Sequence, residues 1–256
     1  MRVSGRRHLC ADGLRFRRDA RWKTGRVVDG CGSEAGANTS PKTLRLGPTR
    51  SGARCYLCVQ GGIAVRPFLG SASTHLLSGL GGHEGRALRK GDVLRIGDAG
   101  GLYRKRTLTA NALERLAPRK IMRVTPGPQC DWFPESAQKM FYESTYGVAE
   151  ESNRMGIRLQ GAAISTTSSG EMISEGVSLG AVQIPAGGLP IILFVEQQTT
   201  GGYAKIANVI SADFRSLGQL RPRDEIRFER VDWEKARALL MEQEKLFASP
   251  DLIVVA

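Results

Sequence analysis

From Leu44 onward the chain consists of short apolar runs, each closed by glycine, proline or a polar turn. Runs of about four to eight such residues predict strands. They occur as LRLG (44–47), RCYLCV (54–59), VLRIG (93–97), IMRVTPG (121–127), SNRMGIRLQG (152–161), GAVQIP (180–185), IILFV (191–195), IANVIS (206–211) and IRFERV (226–231). Helical spacing is rarer. Ser73 can cap one turn carrying Leu76, Leu77 and Leu80. Residues 131–142 predict a short helix, with Pro134 early and Phe133, Ala137, Met140 and Phe141 on one side. Asp232 caps a final helix with Trp233, Ala236, Leu240 and Phe247 on one face. The pattern is that of a mainly β protein with a few short helices. Residues 1–43 sustain no apolar period, and disorder is the plain expectation there. Residues 98–120 are polar, with Arg and Lys in excess, and read as a linker.

One internal repeat is visible. ALRKGDVLRI (87–96) aligns with QLRPRDEIRF (219–228), 132 positions later. Leu88, Arg89, Asp92 and Arg95 meet Leu220, Arg221, Asp224 and Arg227. Each copy reads as a tight turn feeding a strand, so two similarly built β domains in tandem are expected.

The densest polar stretch follows an apolar run. After residues 191–195 come Glu196, Gln197, Gln198, Thr199, Thr200, Gly201, Gly202, Tyr203 and Lys205. A strand that delivers acid, amides, hydroxyls, flexible backbone and a cation can line a polar site. The same letters also describe a hairpin turning at Gly-Gly. Arg154 and Arg158 are four apart, so in an extended strand they share a face and could grip a carboxylate or phosphate; solvated outer-face arginines would look alike. Cys55 and Cys58 form a CxxC inside a strand, which reads as two small core residues rather than a metal or redox pair. Gly81, Gly82 and Gly85 surround His83, Glu84 and Arg86, but no Gly-Lys-Ser/Thr follows, so this is no P-loop. His83 beside Glu84 is either an acid–base pair or an exposed loop. No Ser-His-Asp order or metal-ligand spacing is visible.

Composition narrows the classes. The 256 residues include 31 glycines and 41% hydrophobic residues, which suits a turn-rich β fold with a real core. The formal charge is +12. Residues 1–50 carry +8 of it, and the remainder is only mildly basic, without aromatic-interleaved basic patches; nucleic acid is not an expected partner. No apolar run is long enough for a membrane span, and the Arg-rich start lacks the apolar core of a secretory signal. Five cysteines in no regular frame suit a reducing cytoplasm.

The pieces RCYLCVQGGIAV, LGSASTHLLSGLGGHEGRALRKGDVLRIG, PGPQCDWF, SNRMGIRLQG, ISEGV, GAVQIP, QQTTGGYAKIANVISAD and QLRPRDEIRF carry a resemblance across residues 44–247. In this order the chain resembles the family of the C subunit of bacterial 5-oxoprolinase. That family is also described as Kip inhibitor antagonist, as allophanate hydrolase subunit 2-like, and as the biotin-dependent carboxyltransferase domain of urea carboxylase. The resemblance implies two tandem cyclophilin-like β-barrels, the first incomplete here. The expected plan is a disordered or non-native segment at 1–43, a partial first barrel at 44–100, a linker at 101–120, and a second barrel with a C-terminal helix at 121–250. It implies ATP-dependent opening of 5-oxoproline to glutamate together with the A and B subunits, a hydrolase reaction at a lactam bond, with ATP shared with the partners. The alternatives it leaves open are carboxyl transfer from biotin on a separate carrier, to urea or another small amide, and a non-catalytic regulatory binding module. Lys205, Tyr203 and Arg154 are the implied catalytic candidates. Gln198, Thr199, Thr200, Gly201, Gly202, Arg158 and Gln183 are the implied substrate-binding ones.

The chain departs from the family pattern at several positions. Ala72 and Gln197 stand where arginine is usual, Glu196 and Asn153 where aspartate is, Arg223 for glycine, Ala204 for proline and Ile157 for tyrosine. Residues 1–43 match none of the family's usual first strands, so a truncated or frame-shifted start is expected.

Overall fold

A computed structural model describes residues 2–4, 14–17, 41–44, 52–59, 61–97, 106–167 and 172–255. The chain divides into two compact units, Met1–Thr109 with Ile253–Ala256, and Ala110–Leu252.

The first unit holds small sheets. β1 (Arg2–Ser4) pairs antiparallel with β4 (Arg54–Tyr56). β2 (Leu14–Arg17) lies between β3 (Pro41–Leu44) and β7 (Val93–Arg95), and its pairing with β7 is parallel. β5 (Thr74–His75) pairs with β6 (Leu80–Gly81), and β8 (Arg106–Leu108) with β18 (Ile253–Val255). Leu94 is the buried centre of a small cluster with Leu57, Ile63, Leu88 and Ile96. β1, β2 and all but the last residue of β3 therefore fall within 1–43, the segment expected to be disordered or non-native; the rest of 1–40 and residues 45–51 lie outside the described residues.

The second unit is a closed barrel. Its strands are β9 (Ile121–Pro126), β10 (Tyr146–Val148), β11 (Gly156–Gln160), β13 (Ala181–Ile184), β14 (Ile191–Leu193), β16 (Ala204–Val209) and β17 (Glu225–Arg230). They run in the order β10-β11-β14-β13-β16-β9-β17, and β17 closes onto β10. The pairings are antiparallel except the parallel β9–β17 seam. Alternation explains the interior: Ile157 and Leu159, Val182 and Ile184, Ile226 and Phe228 point into one core. α2 (Glu135–Glu143) caps it, stacking Phe141 on Phe228 at 4.4 Å with Tyr146 beside both. Burial pushes the Tyr146 phenol up to about 12. Arg123 donates from its side chain and its backbone N–H to Asp213, whose exposure is 0%. This pair ties β9 to the turn before α3 (Phe214–Leu217). Asp232 accepts from Lys235 N–H at 2.7 Å and caps α4 (Trp233–Ala248).

The sequence repeat is a repeated structure. In each copy the aspartate accepts the backbone N–H three residues before it: Asp92 from Arg89 at 2.6 Å and Asp224 from Arg221 at 2.8 Å. Each turn feeds a strand with a parallel partner, β7 or β17. Each buries one equivalent residue, Leu94 or Ile226. The residue before the aspartate is left-handed in both, Gly91 at φ 89° and Arg223 at φ 71°.

Several local expectations are corrected. The stretch read as a linker carries β8 and α1 (Ala110–Arg115), with Ala112 buried; residues 101–105 lie outside the described residues. Ser73 caps no helix: β5 and β6 form a hairpin there, because Gly79, Gly81 and Gly82 all take positive φ. β4 stops at Tyr56, so Cys58 is exposed rather than core. Residues 131–142 split at Pro134 into a 3-10 turn (Cys130–Trp132) and α2, and Met140 faces solvent. In α4 the inward stripe runs through Ala236, Leu239, Leu240, Gln243 and Leu246, leaving Trp233 and Phe247 exposed. No described helix is long and apolar enough to cross a membrane.

Candidate functional site

The Gly-Gly hairpin does not form. β14 and β16, which flank the polar stretch, are not partners; β13 lies between them and pairs with both. The polar residues cross over the sheet instead. Within that crossing, β15 (Thr200–Gly201) pairs with β12 (Glu175–Gly176) to make a two-stranded arm. Val177 N–H donates to Thr199 C=O at 3.0 Å and extends the pairing.

Beneath the arm lie Gln183 and Lys205. They are direct register partners on β13 and β16. Their neighbours Val182, Ile184, Ala204 and Ile206 point into the core, so by alternation both polar side chains point to the opposite face. Both are nonetheless buried, Gln183 at 2% and Lys205 at 3% exposure. The polar layer is therefore enclosed by a second set of residues, not open on a barrel wall.

That set is Glu175, Gln129 and Gly201. Lys205 Nζ lies 2.6 Å from Glu175 Oε1 and forms an ion pair with it. The same carboxylate oxygen accepts from Gln129 Nε2 at 2.8 Å. Gln129 Oε1 in turn accepts the Lys205 backbone N–H at 3.1 Å. Lys205 and then Gln129 hold the Glu175 carboxyl below its usual range. Gln129 is brought in by Gly127, where a Cβ would collide with the Lys205 carbonyl oxygen. Gln183 Nε2 has no hydrogen-bond partner, and a Cβ on Gly201 would fall 2.7 Å from it. A glycine at 201 is what lets the amide lie against the arm's backbone.

The other sequence candidates are distributed around this layer. Tyr203 lies in the bend just before β16 and is half exposed. Gln198, Thr199 and Thr200 lie on the arm, toward solvent, and Gly202 is half-buried behind it. Arg154 and Arg158 do not share a strand face: β11 begins at Gly156, and an Asn153 turn accepting the Met155 and Gly156 N–H groups precedes it. Arg154 instead pairs with Glu196 at 2.7 Å, while Arg158 faces solvent. Gln197 reaches from that corner to the Val177 carbonyl at 3.3 Å, with its own Oε1 buried and unpartnered. Glu175 and Gln129 were not among the sequence candidates. Their only signal lay in the ISEGV and PGPQCDWF pieces, which look like plain strand and turn.

Elsewhere, His83 does not face Glu84. Its Nε2 lies 3.7 Å from Asp92, while Glu84 and Asp92 both bind Arg86. His75 Nδ1 lies 2.8 Å from Ser78 Oγ. The glycine loop does not offer a phosphate cradle. A Cβ on Gly85 would collide with the Gly79 carbonyl, so the loop packs on itself, and its one arginine is committed to two carboxylates. The described residues thus supply no fit for a nucleotide in this loop. No metal-binding group of His, Cys, Asp or Glu occurs among the described residues.

Residues 34–230 match the family model of the carboxyltransferase domain, subdomain A and B. The chain belongs to this family. It is 39% identical over 204 residues to the C subunit of 5-oxoprolinase from Escherichia coli (strain K12), covering 80% of this chain and 64% of that protein. It is 36% identical to the C subunit of 5-oxoprolinase from Haemophilus influenzae, covering 78% of this chain and 63% of the relative. The chain therefore spans just under two thirds of the length of these curated relatives. Among solved structures it superposes on K. lactis urea amidolyase with a TM-score of 0.68 at 27% identity, covering 88% of this chain and 16% of that one. The mainly β architecture with a closed barrel is that of this carboxyltransferase family.

Proposed function

We propose that this chain is the carboxyltransferase-family component of a 5-oxoprolinase, acting with further subunits to open 5-oxoproline to glutamate with hydrolysis of ATP. The observation that carries the reading is the enclosed donor pair, Gln183 Nε2 and Lys205 Nζ, under the β12–β15 arm. Buried donors without neutral partners stabilise oxygen charge far better than exposed ones, because no water competes for it. Opening a lactam places negative charge on its carbonyl oxygen and demands a proton at the leaving nitrogen. Lys205 can serve the first need or supply the second, with Glu175 balancing its charge throughout. Gln183 supplies a neutral N–H alongside. Nucleotide chemistry is assigned to the partner A and B subunits, in keeping with the self-packed glycine loop. The likeness to the C subunit of 5-oxoprolinase in two bacteria supports the substrate.

The test is co-expression with A and B subunits and measurement of ATP-dependent glutamate release from 5-oxoproline. Release is expected, and Lys205→Met should lower kcat by about 10²–10³-fold, the usual size of a lost oxyanion donor. Absence of release by the assembled wild-type complex would sink the assignment. The likeness to urea amidolyase favours a second reading, carboxyl transfer from biotin on a separate carrier, where the same two donors would meet the oxygens of the moving carboxyl group. Dependence of turnover on a biotinylated carrier protein would decide for it. A regulatory binding module would instead bind its partner irrespective of Lys205.

A further inference from the structure

We infer that the β12–β15 arm is a lid over Lys205 and Gln183, held shut by Glu175, and that a ligand enters the layer only when that latch releases; the inference rests on the site proposed above. Access is the starting point. Gln183 and Lys205 are both buried, so with the arm down solvent does not reach the two donors that a ligand of this site must touch. Something above them has to move. The barrel cannot, because both residues belong to the β13–β16 ladder, whose Val182, Ile184, Ile206 and Ala207 are packed into the core. The arm can. Its two strands are two residues long, and they pair with each other rather than with a barrel strand.

The arm is also poorly anchored by apolar contact. Ile173, two residues before Glu175, is 91% exposed, and a Cβ on Gly176 would meet nothing within 4 Å. On the other strand, the barrel atom nearest to a Cβ on Gly201 is the Gln183 amide nitrogen, at 2.7 Å. Segments with few buried apolar contacts open at low free energy. Among the described residues, the polar contacts between the arm's two strands and the barrel run through one carboxylate. Glu175 Oε1 meets Lys205 Nζ at 2.6 Å and accepts from Gln129 Nε2 at 2.8 Å. The Glu175 side chain is 43% exposed and that of Lys205 only 4%. An ion pair wet at one end holds less firmly than a sealed one, which suits a contact that has to break and re-form. With the arm shut, Glu175 balances the Lys205 charge and water is kept from the reacting groups. With the arm lifted, both donors face the solvent and a ligand can reach them.

The test reads access, not turnover. In the full chain carrying Gln183→Cys, peptide mass spectrometry follows the rate at which iodoacetamide alkylates the introduced thiol, with the exposed Cys58 as the reference in the same chain. With Glu175 intact, alkylation is expected to be about tenfold or more slower than at Cys58, because the thiol is reached only through the open arm. Glu175→Gln removes the latch charge, whereas Glu175→Asp keeps the charge and draws the carboxylate back by one methylene. Both are expected to raise the rate about tenfold, the size of one hydrogen bond to a charged group. An equal rate with the latch intact or broken overturns the lid. So does a rise in Glu175→Gln alone, which reports altered charge at the thiol rather than access. A second measurement needs no added cysteine. The Lys205 backbone N–H, donated to Gln129 Oε1, should exchange with solvent about tenfold faster in both Glu175 variants, while the Val209 N–H, bonded to the Gly180 carbonyl, keeps its rate. Equal acceleration of the two amides reports general loosening and overturns the lid. Gated access in a chain whose complex with A and B subunits releases no glutamate would refute the reaction and leave the lid standing; glutamate release without gated access would refute the lid alone.

Discussion

Single residues decide two features of this chain. Arg223 occupies the left-handed position of the turn before β17, at φ 71°, where the first copy has Gly91. A side chain in that region costs about 1–2 kcal/mol, partly offset because glycine loses more entropy on folding. Its ion pair with Glu150 is exposed at both ends and contributes little. Arg223→Gly is therefore expected to stabilise the protein by about 0.5–1 kcal/mol, read as an increased urea midpoint. Asp213 presents the opposite case. It is fully buried and accepts three N–H groups from Arg123. Asp213→Ala strands a buried guanidinium and should cost about 3–5 kcal/mol by equilibrium denaturation. The letters flagged only the first, since Arg223 stands opposite Gly91 in the repeat; aspartate before a short helix is an ordinary surface signal.

At the scale of elements, the site is a matter of which strands lie side by side. The loop between β9 and α2 reaches β16 because Gly127 admits the Lys205 carbonyl and the Ala207 amide into the space a side chain would fill. Those neighbours are backbone and cannot swing aside. Gly127→Ala should cost about 1–3 kcal/mol through overpacking and should also pull Gln129 off Glu175. A loss of activity exceeding that of Gln129→Leu at equal stability would show that the loop, not the amide alone, positions Lys205. The core has its own element-scale anchor. Phe228→Ala removes the ring stacked on Phe141 and should cost about 3–5 kcal/mol, measured by denaturation. Strand existence was legible here because period-2 alternation survives in β11, β13 and β17. The short pieces were not legible: β12 and β15 are two residues each, and nothing in a two-residue strand distinguishes it from a turn. The helices were legible in position but less so in facing, since α4 packs through Leu239 and Leu246 rather than through its aromatics.

For the whole molecule, the duplicated turn sets a shared response to acid. The Arg86 guanidinium holds the Asp92 carboxyl at about 2, below the ordinary 3.8, against the opposing effect of burial. Burial pushes the Asp224 carboxyl up, but the Lys120 ammonium and the Arg221 donors outweigh it and leave it lowered. A carboxyl lowered in the folded state stabilises above its ordinary value, and that contribution fades as pH falls toward the folded value. Asp92→Asn should therefore lower the denaturation midpoint at about pH 7. The gap from wild type should narrow from about pH 4 down to about pH 2. A gap that stayed constant would show that Asp92 acts by shape and not by charge.

The sequence alone determined the β class, the duplicated turn, the capped final helix and the polar stretch after residues 191–195, because these depend on neighbours in the chain: alternation, a turn's own hydrogen bond, a cap three residues away. Tertiary structure alone decided that the polar stretch crosses β13 instead of folding into a hairpin, that Arg154 leaves the group for Glu196, and that Gln129 and Glu175 join it. Apart from the β13–β14 pairing, those outcomes rest on contacts between residues 20 to 76 positions apart, Gln197 to Val177 and Gln129 to Lys205 among them. Nothing local in the chain encodes such distances; only closing the barrel brings Lys205, its acid and an unpaired amide under one arm.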